Sequence, residues 1–319
     1  MMISSAKIKG ERTELIQLAA HNPMAKDWKT DHWILLILFL FSSEIILCNC
    51  LAMASSGDFP LENQVIGLTG ASSGIGRAIA QALYAKGAKL VIGARRLERL
   101  EEVAKECQTL HPSSPGKVAC CACNVTDRAN VQTLVETAKT TYQVNSLDVM
   151  VCVAGVMYFT KMANAQMDQW DQTIDVNCKG VTNCFGCVIP GMVEAKKGKI
   201  VTISSDAGVR NFPNLAVYCA SKQFVETLTE ITRRELVGTG VTLTTIQPGD
   251  VKGTELIMQN TDQDAAKEMG VEIGKPVGTG FNRNQLLDPQ DIANAVVYAL
   301  TAPSHVAINT VLIEPRDQE

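Results

Sequence analysis

A doubly wound α/β fold, one parallel sheet with helices on both faces, is what this chain predicts. Three observations carry that expectation. From about residue 60 onward, short apolar runs alternate with stretches of helical periodicity. The first run ends in a glycine-rich turn, Thr69-Gly70-Ala71-Ser72-Ser73-Gly74-Ile75-Gly76. Far downstream, Tyr218 and Lys222 stand four residues apart in Tyr218-Cys219-Ala220-Ser221-Lys222, with Ser205 thirteen residues upstream of Tyr218.

The elements follow in order. Gln64 to Thr69 reads as the first strand, and Ile75 to Lys86 as a helix that stops at Gly87, a common helix terminator. Lys89 to Ala94 is the second strand, followed by a charged helix from Leu97 to about Thr109. His111-Pro-Ser-Ser-Pro-Gly116 is a loop, and Lys117 to Cys123 the third strand. Thr126-Asp127 caps a helix running to about Thr141. Leu147 to Val153 is a buried strand, and a helix runs from about Met167 to Val188. Lys199 to Ile203 is the fifth strand. The helix bearing Tyr218 and Lys222 reaches about Val237, Val241 to Ile246 is the sixth strand, and Thr310 to Ile313 a short last one.

Composition narrows the function classes. The chain has 319 residues and a net charge of −4, with no basic stripe and few aromatic residues, so nucleic acid is not an expected partner. Of eleven cysteines, Cys184 and Cys187 form a C-x-x-C, but within an apolar helical pattern, and there are four histidines, so no metal is expected. The cysteines read as free, mostly buried thiols, which favours a reducing compartment. Val188 and Met192 read as core.

Residues 1–59 stand outside the domain pattern, which occupies 60–319. Trp33 to Ala54 is apolar and long enough to cross a bilayer, with Glu44 as its main defect. Three readings stand: translation from Met53, giving a cytoplasmic enzyme; a membrane anchor through 33–54; or a signal cut after Ala54.

The chemistry lies in the spacings. Residues i and i+4 share a helix face, so the phenol of Tyr218 and the ammonium of Lys222 point into one site. A neighbouring cation favours the phenolate and lowers a pKa of about 10. Gly70 allows the tight turn, Gly74 admits a pyrophosphate, and Gly76 lets the helix pack close to the sheet. Helix N-terminal amides then face the phosphates. Gly93-Ala94-Arg95-Arg96 ends the second strand where NAD binders place an acid, and guanidinium groups suit a 2′-phosphate. NADP(H) is therefore the expected cofactor.

From about Pro60 to the C-terminus the sequence resembles the short-chain dehydrogenases/reductases. The resemblance rests on Gly70-x-x-x-Gly74-x-Gly76, Ala154-Gly155, Asn177, Ser205, Tyr218-x-x-x-Lys222 and Pro248-Gly249, in the family's order. It implies a single Rossmann domain, a small-molecule alcohol or carbonyl substrate, and a homo-oligomer. It assigns proton transfer to Tyr218, the nicotinamide ribose to Lys222, the substrate oxygen to Ser205 in preference to Ser204, and a relay water to Asn177. It places the cofactor against Gly70, Ser72, Ser73, Gly74, Ile75 and Gly76, against Arg95 and Arg96, and against Ala154 and Gly155. Asn124-Val125 stands where the family has Asp-Val near the adenine. Pro248, Gly249 and Val251 follow the sixth strand, where Gly253 occupies the family's threonine position and Thr254 comes one residue later. The tail from Pro289 resembles the branch of NADP-dependent 3-hydroxy acid and farnesol dehydrogenases, which implies a secondary alcohol or hydroxy acid substrate. A membrane-anchored lipid, isoprenoid or steroid reductase and a non-catalytic NADPH sensor are the alternatives. The irregular, glycine-bearing stretch 255–284 reads as a mobile substrate lid.

Overall fold

The structure is a computed structural model that describes residues 59–277 and 285–318. The apolar stretch Trp33 to Ala54 lies outside the described residues. Among the described residues, no helix is long and apolar enough to cross a membrane.

Seven strands form one parallel sheet in the order β3-β2-β1-β4-β5-β6-β7. They are β1 (Val65–Thr69), β2 (Lys89–Ala94), β3 (Lys117–Ala122), β4 (Val149–Cys152), β5 (Gly198–Ile203), β6 (Val241–Pro248) and β7 (Thr310–Ile313). The central strands β1 and β4 are buried along their whole length because both faces are covered. Helices α1 (Gly74–Ala85) and α2 (Leu97–Leu110), with a late helix described below, cover one face; α3 (Arg128–Tyr142) and two later helices cover the other. Order reverses between β1 and β4, and the crevice for a ligand opens at the carboxyl ends of the strands at that switch.

The helix expected from Met167 to Val188 is in three pieces: α4 (Met167–Thr173), a π-helical turn (Ile174–Lys179) and α5 (Gly180–Glu194). Asn177 lies in the π turn, a local widening common at functional sites. Periodicity alone cannot register one inserted residue in a continuous apolar pattern. Val188 and Met192 on α5 are core, as expected.

Helix α6 (Ala216–Glu235) carries Tyr218 and Lys222 and packs through Val225 on the second face. The stretch expected to be irregular contains a helix, α7 (Gln263–Met269), started by the Asp262 side chain accepting from Ala265 N at 3.0 Å. This segment is tied down. Asn260 Oδ1 accepts from Phe159 N, Asp262 Oδ2 accepts from Lys161 N, and Lys161 pairs with Glu268. Residues 278–284 of the expected lid lie outside the described residues. Helix α8 (Pro289–Thr301) opens with a full capping box from Asp288 and Asp291 and returns to the first face against α1.

Candidate active site

A cleft of about 950 Å³ runs along the carboxyl ends of β1, β2, β4, β5 and β6. At one end the backbone makes the surface. Gly70 adopts φ +69°, and a Cβ there would come 2.6 Å from Ala154 N. A Cβ on Gly76 would lie 2.1 Å from Gly70 O, so no side chain fits where α1 closes on β1. Ser73 stands at the N-cap of α1 without a side-chain capping bond, leaving first-turn amides turned to the cleft. Ser72, Gly74 and Ile75 complete this wall.

Arg95 and Arg96 line the same end, joined by Arg99, which sequence reading did not single out. Arg96 Nη2 donates to Ser72 Oγ at 3.3 Å and pairs with Glu255 Oε2 at 2.8 Å. The guanidinium holds the Glu255 carboxyl below its ordinary pKa. Asn124 and Val125 follow β3 into the cleft, and Asn124 Oδ1 accepts from Thr126 N. Ala154 and Gly155 follow β4. Pro248, Gly249 and Val251 follow β6. Thr254 is buried over the glycine turn; its γ-methyl would meet a Cβ on Gly74 at 3.4 Å.

The other end is built on α6. Tyr218 and Lys222 are both buried, with Lys222 Nζ 5.7 Å from the Tyr218 ring centroid. Lys222 Nζ donates to Ile203 O at 3.0 Å. Ser205 lies close enough to Tyr218 to draw the phenol's pKa down, and it donates to Asp206 Oδ1 at 2.8 Å. Ser204 Oγ is buried without a partner and packs beside Gly208.

Two expectations change. Burial holds the Tyr218 pKa above, not below, its ordinary value, and the carboxylates of Asp206 and Asp250 add to the rise. Burial also pulls Lys222 down to about 8, so the cation expected to favour phenolate is itself weakened. Asn177 does not line the cleft. Its side chain ties Val156 in both directions, at 2.9 Å to the amide and 2.9 Å to the carbonyl, and donates to Ser221 Oγ at 3.0 Å. It stands one layer behind Gly155, where a Cβ would meet Asn177 Oδ1 at 3.4 Å and Lys222 Nζ at 3.8 Å.

Sequence reading missed four residues here. Asp206 is buried beside Ser205; Gln318 reaches in from the C-terminus, its Nε2 donating to Asp206 Oδ2 at 2.5 Å and its Oε1 accepting from Asp250 N at 3.1 Å. Tyr158 and Phe212 add aromatic walls. A charge next to Ser205 was the one available signal. Gln318, 112 residues from its partner, gave none.

The short chain dehydrogenase family model matches residues 64–265. The chain belongs to the short-chain dehydrogenase family. It is 47% identical over 259 residues to a glycine betaine reductase of Emericella nidulans, covering 81% of this chain and 19% of that protein. The chain thus spans about a fifth of that relative's length. An uncharacterized oxidoreductase of Listeria monocytogenes is 36% identical over 260 residues, covering 81% of this chain and 98% of its own. Among solved structures, the closed form of a serine dehydrogenase complexed with NADP⁺ superposes with a TM-score of 0.68 at 30% identity, covering 80% of this chain and 96% of that one. As a short-chain dehydrogenase, the chain is an oxidoreductase.

Proposed function

We propose that this short-chain dehydrogenase interconverts an alcohol and its carbonyl compound with NADP(H), using Tyr218, Lys222 and Ser205. The observation that carries the reading is the buried Tyr218–Lys222 pair on one helix face, opening into the same cleft as the glycine turn. A bound reduced nicotinamide supplies hydride to carbon. The chain supplies the proton and the orientation.

The residues fit the dinucleotide. The uncapped α1 terminus suits a pyrophosphate, and three arginines with no acid at the end of β2 suit a 2′-phosphate. The serine dehydrogenase structure holding NADP⁺ supports the same cofactor. Asn124, Val125, Ala154, Gly155, Pro248, Gly249, Val251 and Thr254 would frame it.

Tyr218 Oη, kept protonated by burial, donates its proton to the carbonyl oxygen. Ser205 Oγ orients that oxygen. Lys222 Nζ supports the phenolate left behind and is placed to hold the cofactor ribose. Asn177 acts through position, fixing the Val156 backbone and Ser221, which in turn accepts from Asn177 and donates to Tyr218 O at 2.7 Å. The relative named glycine betaine reductase supports the reducing direction. Nine free cysteines among the described residues support a reducing compartment. Exposed Phe224 and Ile231, two turns apart on α6, support a homo-oligomer. Residues 60–319 are proposed as the catalytic domain and 255–284 as its substrate cover.

The test is Tyr218→Phe, assayed with NADPH and aldehydes of differing charge. Turnover should fall while NADPH binding, read by fluorescence, stays near the parent's. Parent-like turnover in the variant would remove Tyr218 from the proton path.

A further inference from the structure

We infer that the substrate carries a positive charge: it is a small carbonyl compound, with its alcohol, bearing an ammonium group that Asp206 holds. The inference rests on the oxidoreductase reading above and adds the substrate class to it.

The first ground is the distribution of charge along the cleft. Arg96 is tied to the glycine turn through Ser72, Arg99 lies one helical turn on, and Arg95 is close enough to Tyr158 to draw that phenol's pKa down. Around Tyr218 the lining charges are the carboxylates of Asp206 and Asp250 and the ammonium of Lys222. Lys222 is held against Ile203 O on the helix wall. Arg210, four residues beyond Asp206, is engaged by Glu314 through both nitrogens, at 2.7 and 3.3 Å. Next to Ser205 a carboxylate-bearing substrate would therefore meet the Asp206 carboxylate first. This runs against the hydroxy acid expected from the tail.

The second ground is the state of Asp206. It is only 7% exposed, yet the hydrogen-bond donors to its carboxylate are neutral: Ser205 Oγ at 2.8 Å, Ala207 N at 2.8 Å and Gln318 Nε2 at 2.5 Å. A carboxylate withdrawn from water and met by neutral donors attracts a cation strongly. The Gln318 amide sits on Oδ2 as a neutral cap, which a charged donor or an onium group can displace.

The third ground is the wall. Met157, Tyr158, Phe212, Leu215, Met258 and Met269 line this end. Aromatic faces attract cations, and apolar walls tolerate the methyl groups of a quaternary ammonium. Because Asp206 directly follows Ser205, a charge on Asp206 falls a few bonds from a carbonyl oxygen on Ser205, so the substrate is small. In reduction the carbonyl carbon gains the hydride of NADPH, the oxygen gains the Tyr218 proton, and NADP⁺ is released. The ammonium group takes no part in the bond changes.

The experiment compares four aldehydes with the purified full chain and NADPH: betaine aldehyde, its neutral isostere 3,3-dimethylbutanal, 3-aminopropanal and succinic semialdehyde. Betaine aldehyde should exceed the isostere in kcat/KM by about tenfold or more, the scale of one opposite charge a few ångströms away. 3-Aminopropanal separates a primary ammonium from a quaternary one, and preference for either over the isostere supports the inference. In Asp206→Asn the ratio of cationic to neutral kcat/KM should collapse toward one. The wild-type comparison stands even if that variant fails to fold. Equal or better use of the isostere, or preference for succinic semialdehyde, would overturn the charge assignment while leaving the oxidoreductase reading in place. A chain that binds no NADPH would overturn both.

Discussion

At the glycine-turn end of the cleft the binding surface is mostly backbone, and at the Tyr218 end it is mostly side chain. Gly70 and Gly76 leave no room for a Cβ, and the α1 amides face outward there. Those features depend on residues within a few positions of one another. The far end is assembled from β5, α6, the loop after β4, the α7 segment and the last residues of the chain. Its small apolar cluster of Phe159, Leu215, Tyr218 and Ile257 is separate from the two clusters that sandwich the sheet. The comparison teaches that a general ligand is held by local geometry, whereas a specific one is held by contacts that only folding brings together.

Perturbing each end should separate the two. Tyr218→Phe should give the largest effect, a loss on the order of 100-fold or more in kcat/KM, with NADPH affinity nearly unchanged. An equal loss of NADPH binding would show that the ends are not separable. Next comes Arg95→Asp combined with Arg96→Ala. It removes charge-assisted bonds worth roughly 1.5–3 kcal/mol each, so the NADPH-to-NADH ratio of kcat/KM should fall by about tenfold or more. An unchanged ratio would move the phosphate site elsewhere.

Lys222 gives a smaller signature, in stability. Its folded pKa is about 8 against an ordinary 10.5, because burial penalises the ammonium. Below about pH 8 both folded and unfolded chains carry the proton. Between about 8 and 10.5 the unfolded chain still binds it while the folded chain has lost it, so stability rises with pH. Denaturation midpoints of the parent relative to Lys222→Met should therefore climb across that window. A flat difference would place Lys222 in a more hydrated setting.

The smallest effect belongs to Glu255→Gln. The pair with Arg96 is partly exposed, at 39% and 44%, so it contributes about 0–1 kcal/mol. Freeing Arg96 should tighten NADPH binding up to a few fold, read by titration. Weaker binding would mean that Glu255 orders the arginine for the phosphate instead of competing with it.

Much of the fold was legible because alternating apolar runs and helical periods leave few topologies for a parallel sheet. The strand boundaries fall within a residue or two of their expected places. The π turn was not legible, since one extra residue in an apolar helix changes no pattern. Helix α7 was missed because it is only seven residues long and depends on Asp262, which is also bonded to the distant Lys161 amide. The glycine turn, the arginines and the Tyr–Lys spacing were readable as local motifs. Asn177 was readable as a residue but not as a tie behind the wall, because its partners Val156 and Ser221 lie 21 and 44 residues away.

The sequence by itself determined the sheet and helix order, the dinucleotide turn, and the spacing that sets Tyr218 and Lys222 on one helix face, because each depends on short-range backbone geometry. The tertiary structure alone decided the electrostatics of the site. Burial raised the phenol and lowered the ammonium, and Asp206 met Gln318 across the fold. Solvent exclusion and long-range contact set those properties, and neither is encoded at any single position in the chain.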